Sequence, residues 1–234
     1  MLKALIFDVD GTLAETEEAH RAAFNETFRA WGLDWNWSRE DYAWLLKTTG
    51  GKERMKRFQQ DLPQDARRLT DDEIAVLHKE KTQAYADILA RGELDLRPGV
   101  AELIAAAKAA GVRVAVATTT NTPNVEALAQ CCWARPASEV FEVIAAGDMV
   151  TAKKPAPDVF LLALERLGLS AADCLAFEDS RNGVLSAQGA GLRVLVTPSA
   201  YTQADDFGSA EWVISDLRAE NLPGMLAGAV MSRV

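Results

Sequence analysis

The chain has 234 residues, of which 49% are hydrophobic and 25% are charged, and its formal net charge is -9. This balance is typical of a soluble globular protein; it excludes a disordered or fibrous chain, and the negative charge argues against a nucleic-acid or anionic-membrane binder. No apolar run could span a membrane, no signal or transit sequence is recognisable, and the 3 cysteines lack metal-site spacing, so we expect a cytoplasmic protein with reduced thiols.

The first third of the chain predicts one strand followed only by helices. The apolar run 2–7 indicates a buried strand. Helical periodicity follows up to about residue 32, and residues 35–45 are rich in aromatic side chains. A basic helix is predicted from about residue 52, and a capped helix at about 74–89.

From residue 97 onward, predicted strands and helices alternate. The strands are predicted at 112–117, 141–145, 174–177, 193–196 and 212–214, with helices between them. Such alternation is typical of the α/β class with a doubly wound parallel sheet, that is, a Rossmann-like core. We predict that this core comprises residues 1–14 and 96–234, and that residues 15–95 form an inserted all-helical cap domain.

Polar side chains follow four of the predicted strands. In chain order they are Asp8 and Asp10, Thr118, Lys153 and Lys154, and Glu178 and Asp179. Because ligands of open parallel sheets bind beyond the carboxyl ends of the strands, we expect these groups to meet at one edge. Helix capping explains one such residue more easily than the whole set.

Crowded carboxylates beside a lysine indicate phosphoryl transfer at a divalent cation. Mg²⁺ commonly takes one or two carboxylates together with waters and a substrate phosphate. Asp8 and Asp179 are the predicted ligands, and Glu178 is a further ligand or a support. Asp8 can attack phosphorus to form an aspartyl-phosphate, while Asp10 protonates the leaving oxygen and later activates water.

Two further groups complete the predicted phosphate site. Thr118 is expected to donate a hydrogen bond to a phosphoryl oxygen, and Lys154 to neutralise charge on the equatorial oxygens. An EF-hand is excluded, because Thr12 and Leu13 stand where that loop needs an Asp or Asn ligand and a glycine. An Asp-x-Asp metal site for glycosyl transfer would leave Thr118 and Lys154 without a role. A phospho-acceptor signalling domain also carries acidic, hydroxyl and lysine groups at strand ends, but it would not need a large helical insert after the first strand.

These motifs resemble a known family. Residues 8–13, Thr118, 154–158 and 178–180 are similar to the four motifs of the haloacid dehalogenase superfamily, and the helical insert lies where its helical-cap members carry theirs. The resemblance implies that Asp8 is the nucleophile and Asp10 the acid/base. It also implies that Mg²⁺ binds Asp8, Asp179 and the Asp10 carbonyl, and that Lys154 rather than Lys153 contacts phosphate.

A closer resemblance narrows the substrate class. Residues 14–20, 24–28, 48–54, 117–120 and 145–150 are similar to the beta-phosphoglucomutase group and, within it, to bacterial Calvin-cycle xylulose-1,5-bisphosphate phosphatases. This resemblance implies hydrolysis of a sugar bisphosphate that inhibits ribulose-bisphosphate carboxylase. Two alternatives stay open: a phosphohexose mutase, which shares the first half-reaction, and a phospho-acceptor or binding module without turnover. We expect a monomer without nucleic-acid or membrane partners.

A bisphosphate needs a second anion site. Gly50 and Gly51 precede the basic helix, and backbone N–H groups at a helix start favour anions. Lys52 and Lys56 are one turn apart, as are Arg54 and Arg57, so we expect one of these pairs to face the cleft. Lys52 and Arg54 are the preferred contacts because they lie nearest the turn.

The remaining candidates lie in the helical insert and near the motifs. Glu17 and His20 are at helical spacing and are predicted to contact sugar hydroxyls or to control Asp10. Tyr42 and Thr119 are further predicted substrate contacts. The tryptophans of residues 35–44 are expected in the core of the insert, His78 is expected on a helix surface, and Asn182 is expected to support the metal site.

Overall fold

The computed structural model describes residues 2–92 and 94–230. Its strands are β1 (Ala4–Phe7), β2 (Arg113–Ala117), β3 (Val143–Ala145), β4 (Cys174–Glu178), β5 (Arg193–Val196) and β6 (Trp212–Val213). Its α-helices are α1 (Glu17–Ala30), α2 (Arg39–Leu45), α3 (Gly51–Gln60), α4 (Asp71–Ala90), α5 (Val100–Ala109), α6 (Thr122–Trp133), α7 (Ala137–Val140), α8 (Asp158–Leu167), α9 (Arg181–Gly189) and α10 (Gly224–Val230).

The six strands form one sheet in the order β3-β2-β1-β4-β5-β6. All of its pairings are parallel, and β1 lies at the centre between β2 and β4. The chain therefore winds to one side of β1 through β2 and β3, and to the other side through β4, β5 and β6. The predicted doubly wound parallel sheet is confirmed, and the crevice at the carboxyl end of β1 is where such sheets bind ligands.

The sheet has a hydrophobic core on each face. Successive residues of β1 alternate between the two: Leu5 and Phe7 pack with residues of α5, α6 and α10, whereas Ala4 and Ile6 pack with residues of α8 and α9. Burial on both faces explains the continuous apolar runs that predicted the strands.

We call α1 to α4 the cap helices; they carry a third core of their own. It includes Phe24, Phe28, Trp37 and Tyr42, all at most 1% exposed. The start of α4 follows the predicted cap, in which the Thr70 side chain accepts from the backbone of Glu73 and the Glu73 side chain accepts from the backbone of Thr70.

One expectation for this core is wrong. Trp44 is 40% exposed. It stacks with the guanidinium of Arg57, whose Cζ lies 4.4 Å from the ring centroid. The periodicity of α2 places Tyr42 and Leu45 inward, so that Trp44 falls on the outer side of this short helix.

The chain enters and leaves the cap helices through two adjacent segments, which we call the hinge. Ala14 and Leu96 form an antiparallel bridge, and the backbone N–H of Arg97 donates to the carbonyl of Leu13 over 2.8 Å. The hinge therefore joins the sheet next to the turn that follows β1. Among the described residues, no helix has the length and apolar character needed to cross a membrane.

Candidate active site

A buried cluster of charged groups lies beyond the carboxyl ends of β1 and β4. Lys154 Nζ lies 2.6 Å from Asp8 Oδ1 and 2.5 Å from Glu178 Oε1. Carboxylate oxygens of Asp8, Glu178 and Asp179 lie within 4.8 Å of one another, and all four side chains are buried. The parallel sheet thus brings together residues that are up to 171 positions apart, as their strand-end positions predict.

This cluster has more negative than positive charge. Burial raises the pKa of Asp8 to about 8. The charge of Lys154 opposes this rise, whereas the charges of Glu178 and Asp10 add to it. Burial and then the charges of Asp8 and Glu178 raise the pKa of Asp179 well above its usual range. The pKa of Lys154 is raised despite its burial, because Asp8 and Glu178 favour the ammonium. One ammonium therefore leaves three close carboxylates incompletely compensated.

The residues present fit a metal ion. Three buried carboxylates that repel one another are a donor set for a hard divalent cation, which removes that repulsion when it binds. Gly11 and Gly183 keep the space around the cluster free: a Cβ at Gly11 would collide with the Asp179 carboxylate, and one at Gly183 with the Glu178 carboxylate. The cluster can therefore hold a metal ion.

Asp10 is held by two donors on the cap side. Thr16 Oγ1 donates to Asp10 Oδ1 over 2.5 Å, and His20 Nε2 lies 3.0 Å from the same oxygen. Although burial opposes ionisation, His20 and Thr16 hold the pKa of Asp10 below its usual value. His20 in turn contacts the buried Lys81, whose Nζ lies 2.6 Å from His20 Nδ1. Burial lowers the pKa of Lys81 to about 7 and, together with the Lys81 charge, lowers that of His20.

The threonines after β2 occupy different positions. Thr118 is buried, and its Oγ1 accepts from the backbone N–H of Thr120 over 3.2 Å. Thr119 lines the cleft between the sheet and the cap helices. A strand-end threonine is visible in the sequence, but which of two neighbours faces the cleft depends on the local turn.

The cleft consists of two cavities that share Asp10, Arg54 and Thr119. The larger cavity has a volume of about 660 Å³ and is lined by three members of the cluster, Asp8, Lys154 and Asp179. The smaller, of about 170 Å³, lies on the other side of Asp10 and is lined by His20 and Lys81. A ligand with two charged ends can thus lie with one end in each cavity.

The smaller cavity is rich in cationic side chains and borders the start of α3. Gly50 and Gly51 lie at the start of α3 beside Lys52, and Lys153 from the loop after β3 lines the same cavity. His78 also lines it, so its predicted surface position is wrong. A Cβ at Gly51 would collide with His78 Nε2, because α4 packs beside α3. Burial and three lysines lower the pKa of His78 to about 3. The adjacent lysines 153 and 154 are the sequence signal that could have marked Lys153.

Glu17, Tyr42 and Arg54 form one network in the cap helices. Tyr42 Oη donates to Glu17 Oε2 over 2.8 Å, and Arg54 Nη1 donates to Tyr42 Oη over 3.2 Å. Glu17 faces the larger cavity. Tyr42 is fully buried and lines neither cavity, so the structure places it behind Glu17 and Arg54.

The predicted pairing along α3 is wrong. Lys52 and Arg54 line the cavities, one from each predicted pair. Lys56 instead forms an ion pair with Asp71 over 2.7 Å, and Arg57 forms one with Asp61 over 2.9 Å. Only the first turn of α3 borders the cleft, so two residues of that turn reach it rather than two residues one turn apart.

Asn182, in the first turn of α9, contacts the segment between two cap helices, α2 and α3, instead of supporting the cluster. Its Nδ2 donates to Thr49 Oγ1 over 3.1 Å and lies 3.4 Å from the carbonyl of Lys47. Lys153 makes a similar connection, with Nζ 3.3 Å from Glu53 Oε2. The cap helices therefore lie closed over the cluster.

Comparison with known proteins gives concordant matches. The family model for haloacid dehalogenase-like hydrolases matches residues 2–191. Protein CbbY of Rhodobacter capsulatus is 62% identical over 221 residues, which cover 93% of this chain and 95% of that protein. The crystal structure of CbbY from Rhodobacter sphaeroides in complex with phosphate has a TM-score of 0.89 at 53% identity, covering 93% of this chain and 96% of that one. A mutant of that protein, D10N, in complex with xylulose-1,5-bisphosphate gives the same values.

Proposed function

Because the chain belongs to the haloacid dehalogenase-like hydrolases, we propose that it hydrolyses xylulose-1,5-bisphosphate, the sugar bisphosphate bound by the similar CbbY from Rhodobacter sphaeroides. The family predicted from the strand-end motifs is thereby confirmed, and the protein is a phosphoric monoester hydrolase. The observation that carries the substrate proposal is the pairing of a carboxylate–lysine cluster with a separate cation-rich cavity.

Asp8 is the proposed nucleophile. Its carboxylate lies at the end of the central strand, and Lys154 Nζ is 2.6 Å away. A carboxylate oxygen of Asp8 forms a bond to phosphorus while the bond from phosphorus to the sugar oxygen breaks, which leaves an aspartyl-phosphate. Lys154 stabilises charge on the phosphoryl oxygens, and Thr118 and Thr119 are the proposed hydroxyl donors.

Asp10 is the proposed acid and base. It gives a proton to the sugar oxygen as that oxygen leaves, then takes a proton from the water that attacks phosphorus and releases inorganic phosphate. Asp8 is regenerated in this second step. The contacts of Asp10 with Thr16 and His20 favour its carboxylate form, which is the form that activates water.

Mg²⁺ is the proposed cofactor, held by the carboxylates of Asp8 and Asp179, the carbonyl of Asp10 and, as ligand or support, Glu178. When bound, it supplies positive charge that lets the Asp8 carboxylate and a phosphate approach each other. The uncompensated charge of the cluster supports this assignment.

The smaller cavity is the proposed site for the second phosphate. Gly50, Gly51 and Lys52 would bind it from the start of α3, and Arg54 lies between the two cavities. Glu17 faces the larger cavity and His20 the smaller one, so we propose that both contact the sugar. Tyr42 lines neither cavity, so we propose that it positions Glu17 and Arg54 instead of making the predicted contact with substrate itself.

The proposed domain organisation has the residue bounds predicted from the sequence. We propose that residues 15–95 act as a cap domain that opens and closes on the core of residues 1–14 and 96–234. We further propose that the enzyme is monomeric and cytoplasmic. Its proposed partner is a small-molecule sugar bisphosphate, and we propose that it binds neither nucleic acid nor membranes.

The purified protein is to be assayed for phosphate release from a panel of sugar mono- and bisphosphates with Mg²⁺. The proposal expects the highest kcat/KM for xylulose-1,5-bisphosphate and free inorganic phosphate as product. An isomerised sugar phosphate without free phosphate would instead indicate a mutase. A phosphoenzyme that persists for hours without turnover would indicate a phospho-acceptor module.

A further inference from the structure

Arg97 connects three separate segments next to the active site. It lies in the hinge, and its side chain is only 11% exposed. Its Nη1 donates to the carbonyl of Gly11, and to the carbonyl of Thr197 over 2.7 Å. Its Nη2 donates to the carbonyl of Pro198 over 2.7 Å. One guanidinium thus binds backbone carbonyls both of the turn after β1 and of the loop after β5.

The charge of Arg97 is compensated by the hinge itself. Its Nε lies 3.3 Å from Glu15 Oε1, and the Glu15 carboxylate also accepts from the backbone N–H of Ala200 over 3.2 Å. The backbone N–H of Arg97 donates to Leu13 of the opposite hinge segment. Both hinge segments and the loop 197–202 are therefore joined through one pair of side chains.

Both segments that Arg97 binds contain or contact a group of the reaction. Gly11 directly follows Asp10, so the position of its carbonyl and that of the Asp10 backbone are fixed together. In the loop after β5, the Thr202 hydroxyl lies 3.3 Å from Asp179 Oδ2 and accepts from the backbone N–H of Ser199 over 2.9 Å. A displacement of this loop would therefore move a group that holds Asp179.

Planar geometry explains why an arginine stands at this position. A guanidinium presents five donors in a fixed fork, whereas a lysine ammonium is a single compact centre that cannot reach all of these acceptors at once. A role limited to stability would need only that the buried carbonyls be satisfied. The carbonyls that Arg97 binds belong instead to the two segments that contain Asp10 or contact Asp179.

We propose that Arg97 is a positioning residue of the phosphatase reaction. It fixes the positions of Asp10 and Asp179 relative to the hinge of the cap helices. The inference rests on the proposed function, because the reaction is its readout. Arg97 does not touch substrate; it acts through Gly11 and through the loop 197–202. Misplacement of reacting groups by about 1 Å costs about 100-fold in rate, and the loss is expected in kcat.

The test compares R97K and R97A with R113A as the matched control. Arg113 also donates to a backbone carbonyl, that of Leu167 over 2.6 Å, and pairs with Glu142, but it lies at the opposite end of β2 from the active site. We expect R97K and R97A to lower kcat by about 10-fold to 100-fold with KM changed less than about threefold. R113A should lower the melting temperature and leave kcat unchanged.

Chemical rescue separates positioning from stability. Added guanidinium ion at millimolar concentration should restore part of the kcat of R97A, where the side chain leaves space, and none of that of R97K. If R97A does not fold, R97K and R97Q carry the comparison through their kcat and melting temperatures. Folded R97K with wild-type kcat, or R97 variants whose kcat falls no more than that of R113A, would overturn the inference. An inactive wild-type protein would overturn the proposed function, and this inference with it.

Discussion

The ammonium of Lys81 lies 2.6 Å from Nδ1 of His20, while Nε2 of the same imidazole lies 3.0 Å from Asp10. Because an ammonium can only donate, a charged Lys81 makes Nδ1 an acceptor and leaves the ring proton on Nε2, directed at Asp10. A contact between two cap helices, α1 and α4, therefore determines which nitrogen of His20 carries the proton. The position of the cap helices and the protonation of Asp10 are linked by this contact.

The first prediction concerns the pH dependence of stability in K81M. Burial lowers the folded-state pKa of Lys81 to about 7 from 10.5, so between these values the unfolded chain binds more protons than the folded one. The contribution of Lys81 therefore makes the free energy of unfolding rise with pH above 7, by at most about 1.4 kcal/mol per pH unit. Urea unfolding of metal-free protein between neutral pH and about pH 9 should show this rise in the wild type relative to K81M.

K79M, on the exposed side of the same helix, is the control and should keep the wild-type slope. Parallel curves for the wild type and K81M would show that burial does not lower the pKa of Lys81.

The second prediction concerns Thr16, whose hydroxyl donates to Asp10 over 2.5 Å. T16V keeps the shape and removes the donor, so the pKa of Asp10 should rise. Because Asp10 must be ionised to activate water, the acidic limb of the pH profile for hydrolysis of the aspartyl-phosphate should move to higher pH by about one unit. T16S retains a hydroxyl and should leave the limb in place. If the profiles of T16V and T16S coincide, the Thr16 hydroxyl does not affect the pKa of Asp10.

The third prediction concerns the nucleophile. D8N leaves the shape of the side chain but removes the attacking carboxylate, and we expect phosphate release to fall by at least about 10⁴-fold. D173N is the control, because Asp173 pairs with Lys3 at the other end of the sheet. Mass spectrometry of protein quenched during turnover should detect an added phosphoryl group on the wild type and none on D8N. Turnover by D8N at the wild-type rate would show that Asp8 is not the nucleophile.

The fourth prediction concerns the metal ion. Mg²⁺ binding to the folded state should raise the free energy of unfolding, by about 2.7 kcal/mol at a concentration 100 times the Kd. D179N removes one of the three close carboxylates and should lose most of this increment, whereas D173N should keep it. Thermal unfolding with Mg²⁺ and with a chelator measures both. An equal Mg²⁺ increment in D179N and the wild type would place the ion elsewhere.

The fifth prediction concerns the second phosphate. K52Q removes a cation from the smaller cavity and should raise KM for a sugar bisphosphate by about tenfold, equivalent to about 1.4 kcal/mol. Its KM for p-nitrophenyl phosphate, which has a single phosphate, should not change. K56Q is the matched control on the same helix, because Lys56 pairs with Asp71 instead. A K52Q variant that affects both substrates equally would argue against a dedicated second-phosphate site.

The sequence predicts the cluster because parallel strands align their carboxyl ends. Asp8, Lys154 and Asp179 are far apart along the chain, yet each follows a strand of the sheet, so the topology alone brings them to one edge. The strand boundaries also follow from apolar runs that are buried on both faces. These inferences need only local patterns and one rule of topology.

The positions of His78, Asn182 and Arg97 could not be predicted in the same way. A helical period states which residues share a face but not which helix that face meets, and His78 enters the cavity because α4 packs beside α3. Asn182 donates to Thr49, which is 133 positions away along the chain, and no local pattern predicts that contact. Arg97 has acceptors in the turn after β1 and in the loop after β5, and no local pattern marks an arginine that binds backbone carbonyls.

The bridge between Ala14 and Leu96 has a consequence for how proteins of this architecture diversify. Since the polypeptide departs from and returns to the sheet at neighbouring points, an intervening stretch of any length can be grafted, shortened or replaced without rerouting the rest of the backbone. Selection can then alter what is recognised while the machinery that breaks the bond is inherited intact.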